Sequence, residues 1–169
     1  MKQILTILFI VFFFSACVTK HFDKTFNNKT QEKKLENMII SIYPNINKSE
    51  AKSLAYEAIN HSKHLAKKYE TVSPALLQNT LINLGIKERG LCFHYANDLL
   101  TFLEKKDYKS FKFVKVVANR GEYFEHTAFI LTDDHIDFKN SIIFDAWRDS
   151  GNLFFSKIKN DKKYKWEIK

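Results

Sequence analysis

The sequence predicts an α+β fold in which N-terminal helices and one further helix pack on a small antiparallel sheet. Two observations carry this. Apolar residues recur at three- and four-residue spacing through the first two thirds of the chain, then at two-residue spacing through the last third. The change falls after Leu103 and is followed by turn-forming clusters at Asn119-Arg120-Gly121 and Asp133 to Asn140.

The elements follow in order. Leu35, Met38, Ile39 and Ile42 mark a helix over residues 32–42, broken at Pro44 and Asn45-Ile46-Asn47. Ser49 can cap a second helix running to about Tyr69, with Leu54, Ala55, Ala58 and Leu65 inward. Ser73-Pro74 opens a third, since proline fits a first turn whose N–H is unused, and Gly85 suits the left-handed residue that ends it. Gly90-Leu91-Cys92 leads into a fourth helix that buries Ala96, Leu99, Leu100 and Leu103. Strands are expected from Phe111 through Val117, from Tyr123 to Leu131, from Ile142 to Trp147 and from Leu153 to Ile158.

The first residues address the chain. Lys2 precedes an uncharged run from Ile4 to Phe14, eleven residues long. A bilayer span needs roughly 20 residues, so this has the length of a signal-peptide core. Ser15-Ala16-Cys17 follows and resembles the lipobox of bacterial lipoproteins, with Phe14 where leucine is usual. The resemblance implies a signal peptide over 1–16 and lipidation of Cys17 as the first mature residue. Val18 after the cysteine implies sorting to the outer membrane, facing the periplasm. Residues 17–31 read as a polar tether, and 32–169 as one domain, expected to be monomeric.

The net charge of +8 is almost wholly lysine, with Arg89, Arg120 and Arg148 the only arginines. Nucleic-acid surfaces cluster arginine and aromatics on one face. These lysines are spread over every segment, so nucleic acid is not an expected partner. A membrane, through the lipid anchor, is.

Once Cys17 is used, Cys92 is the remaining cysteine, in a compartment where thiols are usually paired or absent. It stands at a helix start, where unpaired N–H groups and the positive dipole end favour a thiolate and can hold an oxyanion. His126 and Asp145 follow on successive strands. Pairing His126 with Asp145 across the Asp133–Asn140 loop also pairs Ala128 with Ile143 and Ile130 with Ser141. That register puts the imidazole and the carboxylate on one face. Cysteine, histidine and aspartate in this order read as nucleophile, base and orienter. Zinc is the competing chemistry for Cys92, His94 and His126. Two residues apart on a helix, however, project about 200° apart, so Cys92 and His94 do not converge. His94 is expected at the rim, and no metal or cofactor is expected.

Gly90-Leu91-Cys92-Phe93-His94-Tyr95-Ala96, His126 and Phe144-Asp145-Ala146-Trp147 together resemble the transglutaminase-like branch of the papain-fold cysteine enzymes. The resemblance covers about residues 90–147, with Tyr95-Ala96 matching an aromatic–alanine pair on the catalytic helix. It departs in a short Cys92–His126 interval, in Ala146 where proline is common, and in lacking a glutamine shortly before Cys92. Gln78 or Asn83 would have to reach the site through the fold. The resemblance implies a papain-like core with a Cys92-His126-Asp145 triad acting on amide or related acyl bonds. Peptide, peptidoglycan and small amides are then the expected substrates. Tyr95 and Trp147 are expected to line the cleft, and Arg148 to hold an acidic substrate group. The alternative is a lipoprotein that keeps this fold as a non-catalytic binding scaffold.

Overall fold

The computed structural model describes residues 28–43 and 46–169. The signal peptide, Cys17, most of the tether and the break at Pro44-Asn45 lie outside the described residues.

The expected α+β architecture is present. Among the described residues four helices come first: α1 (Asn28–Ile42), α2 (Lys48–Lys68), α3 (Ala75–Asn83) and α4 (Cys92–Glu104). Five strands follow: β1 (Lys112–Ala118), β2 (His126–Thr132), β3 (Ile142–Asp149), β4 (Asn152–Lys157) and β5 (Glu167–Ile168). The sheet order is β4-β3-β2-β1-β5, antiparallel throughout. No described helix is long and apolar enough to cross a membrane.

Several boundaries differ from expectation for identifiable reasons. Helix α1 starts at Asn28 rather than 32, where Asn28 Nδ2 donates to Asn60 on α2 at 3.1 Å. Helix α2 is capped by Asn47, not Ser49; the Asn47 side chain accepts from the N–H groups of Ser49 and Glu50. Tyr123 and Phe124 are exposed and stand outside β2, because the chain from Asn119 to Glu125 forms consecutive turns.

Two apolar layers position the site. Leu35, Leu54, Leu65, Leu99 and Leu103 of the helices meet Phe129, Leu131, Ile142 and Phe144 from one face of the sheet. A leucine or phenylalanine fully buried in this way contributes about 1.5–3 kcal/mol. The opposite face, with Val116, Ala118, Ala128, Ile130 and Ile143, is covered by Ile158, Tyr164 and Trp166. These belong to the C-terminal segment, which leaves β4 at one edge and ends as β5 beside β1 at the other. Gly151 lets the β3–β4 turn sit on α2: its φ is +98°, and a Cβ there would lie 2.2 Å from Ala66 Cβ.

Candidate active site

Cys92 is the first residue of α4, and the loop before it is hydrogen-bonded to Gln78 and His94. Gly90 has φ +122°, and a Cβ at that position would meet the Gln78 side chain at 2.8 Å. Gln78 is fully buried. Its Oε1 accepts from Val72 N–H at 3.0 Å, and its Nε2 donates to Arg89 O at 2.8 Å and to Tyr69 O at 3.5 Å. Both amide hydrogens are therefore used on backbone, so Gln78 fixes the Cys92 loop instead of serving as an oxyanion donor. Asn83 is exposed at the end of α3.

His94 is half-buried and caps the helix. Its Nδ1 accepts from the N–H groups of Gly90 and Leu91 at 3.2 and 3.3 Å. Burial, then the positive charge of Arg89, lower its pKa and keep that lone pair free to accept. The N–H groups of Cys92 and Phe93, as first-turn donors, have no intrahelical acceptor and remain for an oxyanion.

His126 opens β2, and its Nε2 lies 2.7 Å from Asp145 Oδ2, both residues 2 % exposed. The register is offset by two from the one expected: Phe129 pairs with Phe144, Ile130 with Ile143 and Leu131 with Ile142. An offset of two preserves the face, so imidazole and carboxylate still meet, diagonally rather than directly across. Asp145 Oδ2 also accepts from Arg148 Nε at 3.0 Å, and Oδ1 from the Arg148 N–H at 3.1 Å.

With Nε2 on the carboxylate, Nδ1 is the nitrogen left to act as a base. It is buried without a hydrogen-bond partner. Cys92 is half-buried, with its sulfur 4.0 Å from the carbonyl oxygen of Glu125, the residue before His126. Burial opposes charge on His126, but the Asp145 carboxylate and then the Cys92 sulfur raise its pKa to about 9. Burial likewise opposes charge on Asp145, yet His126 and Arg148 hold it below the usual carboxylate range.

The remaining expected site residues are placed differently. Tyr95 is 1 % exposed and points into the helix–sheet core, where its hydroxyl meets Thr71 Oγ1 at 2.6 Å. Burial pushes its pKa up to about 12, and it lines no cleft. Trp147 is buried against His126, ring centroids 4.8 Å apart, and its indole N–H donates to Asn79 Oδ1 at 3.1 Å. Arg148 directs its guanidinium at carboxylates of the fold, and the residue also borders a cavity between α1, α2 and the β3–β4 hairpin. Besides Asp145, its Nη1 and Nη2 donate to Asp161 at 3.1 and 2.6 Å, and its side chain is 8 % exposed.

Sequence reasoning missed the C-terminal contribution. Tyr164 and Trp166 pack on His126 with tilted rings, 4.6 and 5.3 Å between centroids, and Trp166 Nε1 donates to Asp161 Oδ2 at 2.9 Å. The available signal was Tyr164-Lys165-Trp166, two large aromatics at strand spacing in a lysine-rich stretch.

Exposed apolar side chains concentrate on three stretches of the sequence. Of nine large hydrophobics exposed among the described residues, seven lie there: Leu76, Leu77, Leu84 and Ile86 on or after α3, Phe93 beside the cysteine, and Tyr123 and Phe124 before His126. A separate cavity of about 470 Å³ lies between α1, α2 and the β3–β4 hairpin, lined by Lys34, Lys63, Pro74, Asp149 and Phe155 among others. Neither Cys92 nor His126 borders it. Among the described residues, no group of three or more His, Cys, Asp or Glu side chains could hold a metal ion.

Comparison with protein-family models, curated proteins and solved structures finds no match for this chain.

Proposed function

We propose that this protein is a cysteine hydrolase or acyl transferase that cleaves an amide- or peptide-type bond through a thioester on Cys92. The observation that carries the proposal is the divided use of the His126 ring. Nε2 is on Asp145, while Nδ1 is buried and unpartnered, with Cys92 near enough to act on the ring's charge. A structural histidine in so dry a position would have both nitrogens satisfied. Cys92 and His126 are close enough for their side chains to interact, and catalytic hydrogen bonds tighten further once substrate binds.

The chemistry balances without a cofactor. His126 Nδ1 already holds the Cys92 thiol proton, so the sulfur attacks the carbonyl carbon as the thiolate of an ion pair. The oxyanion is held by the first-turn N–H groups of α4. When the intermediate collapses the carbon–nitrogen bond breaks, and His126 returns the proton to the leaving amine. Water or a second amine, deprotonated by His126, then attacks the thioester and restores the thiol. Asp145 holds the imidazole in the required tautomer and stabilises its protonated form. The fold class and these three residues also support the resemblance to transglutaminase-like enzymes. The exposed Phe93 next to Cys92, and Tyr123 and Phe124 shortly before His126, favour substrates with apolar groups beside the scissile carbonyl.

As part of the same reading, Cys17 anchors the domain to the cell envelope, in the outer membrane and facing the periplasm, where peptides and peptidoglycan crosslinks are the amide substrates at hand. Cys17→Ser should release the chain from membranes or leave it unprocessed; unchanged partition and mass would remove the anchor from the account.

The catalytic claim is tested by incubating the full chain with a panel of activated acyl donors and seeking an adduct on Cys92 by mass spectrometry. A hydroxylamine-labile adduct that is absent in Cys92→Ser is expected. No adduct with any donor, together with alkylation of Cys92 that ignores His126, would leave the non-catalytic scaffold.

A further inference from the structure

Behind Asp145 the buried polar groups continue in a line of alternating charge. His126 meets Asp145, Asp145 meets Arg148, and Arg148 meets Asp161. Arg148 and His126 share one oxygen, Asp145 Oδ2, at 3.0 and 2.7 Å. Arg148 is therefore a competitor for the carboxylate that should stabilise the imidazolium. Asp161 removes the competition. It takes both terminal guanidinium nitrogens, and its side chain is 1 % exposed. With Asp161 present, the cluster containing protonated His126 is neutral. Without it, two buried cations would share one anion, which a dry site strongly disfavours.

We propose that Asp161, acting through Arg148, is a positioning residue that keeps the Asp145 carboxylate available to His126 and ties the C-terminal aromatic segment over the imidazole. The second part follows from Trp166 Nε1 and the Lys163 N–H, which donate to Asp161 at 2.9 and 3.0 Å. This inference rests on the reading of Cys92, His126 and Asp145 as a triad. The charged and titratable groups around the ring are Cys92 from α4, Asp145, Arg148 and Asp149 from β3, and Asp161, Lys163 and Tyr164 from the C-terminal segment. Asp149 and Lys163 are farther out: Asp149 feels the Asp145 charge without a hydrogen bond to it, and Lys163 Nζ sits over the Tyr164 ring at 5.2 Å. Arg148 also lies 3.7 Å from the Phe154 ring centroid, so its guanidinium is held in place from several sides.

The test is an NMR titration of the His126 ring in the full chain in detergent micelles, with the resonance assigned by its loss in His126→Ala. Asp161→Asn should lower the His126 pKa by about one unit or more. The double variant Arg148→Gln/Asp161→Asn removes one charge of each sign and should return it to within about half a unit of wild type. A segment that acts only by packing predicts the reverse order, because the double variant loses more hydrogen bonds than the single one. If Asp161→Asn does not fold, the double variant alone decides: a pKa displaced by more than about one unit overturns the proposal. An unchanged pKa in a folded Asp161→Asn overturns it too. The readout is independent of turnover, so a failed search for acyl adducts would sink the enzyme reading while leaving this result interpretable.

Discussion

Asp145→Asn should weaken the fold and uncouple the thiol in one substitution. In the wild type the carboxylate accepts from His126 Nε2 at 2.7 Å, from Arg148 Nε at 3.0 Å and from the Arg148 N–H at 3.1 Å, at 2 % exposure. An amide keeps the volume and loses the charge. Removing one partner of a buried ion pair costs about 3–5 kcal/mol. Arg148 keeps Asp161, so the lower end, about 3 kcal/mol, applies. A domain of this size has stability on the order of 5–15 kcal/mol and should remain folded. With a urea dependence of about 2 kcal/mol per molar, the unfolding midpoint should fall by about 1.5 M. The chemical effect is separate. The asparagine oxygen at the Oδ2 position still accepts from His126 and Arg148, but a neutral amide no longer stabilises the imidazolium that pairs with the Cys92 thiolate. Alkylation of Cys92 at pH 7 should slow, though less than in His126→Ala, since Asp145 exchanges no proton. A midpoint loss below about 0.5 M, which is less than 1 kcal/mol, would refute the view of Asp145 as a buried, charged hub.

Further expectations follow from the same geometry. His126 has its pKa raised to about 9 against an ordinary value near 6.5, so it contributes about 3 kcal/mol that is fully present below about pH 6.5 and is lost as pH rises through 9. Urea midpoints of wild type minus His126→Ala should therefore shrink between pH 7 and 10; a flat difference would contradict the shift. Gly90→Ala places a Cβ 2.8 Å from Gln78 at φ +122°, and should cost about 1–3 kcal/mol by chemical denaturation while slowing alkylation of Cys92. Wild-type behaviour would mean the loop is not held by Gln78. Tyr95→Phe loses the 2.6 Å contact with Thr71 and should cost about 1 kcal/mol without changing alkylation of Cys92, because Tyr95 is core and not cleft. A changed alkylation rate would return Tyr95 to the site.

The parts of this site legible from sequence are those set by short-range rules. A helix start at Cys92 follows from Gly90 and the apolar spacing after it, and the shared face of His126 and Asp145 survives a two-residue register offset because side-chain direction has period two. Tyr95 was also readable: it lies four and eight residues before Leu99 and Leu103, on the stripe that packs against the sheet. Weighing it as a site aromatic overrode that periodicity. Arg148 was not readable from local pattern, because its second acceptor, Asp161, arrives thirteen residues later on a segment without regular structure until the two-residue β5. Tyr164 and Trp166 were hidden for the same reason. A strand of two residues carries no periodicity, and only the tertiary course of the chain takes it across the second face of the sheet.

The central claim is that His126 acts as the base of Cys92. Its most direct test is the rate of iodoacetamide alkylation of Cys92 from pH 5 to 10, in wild type and His126→Ala. The account predicts that His126→Ala reacts far more slowly than wild type near pH 6. The two should converge near pH 9, where an unassisted thiol, ordinarily ionising near about 8.5, no longer needs a base. Superimposable profiles across the whole range would show that the two side chains are uncoupled and would contradict the account.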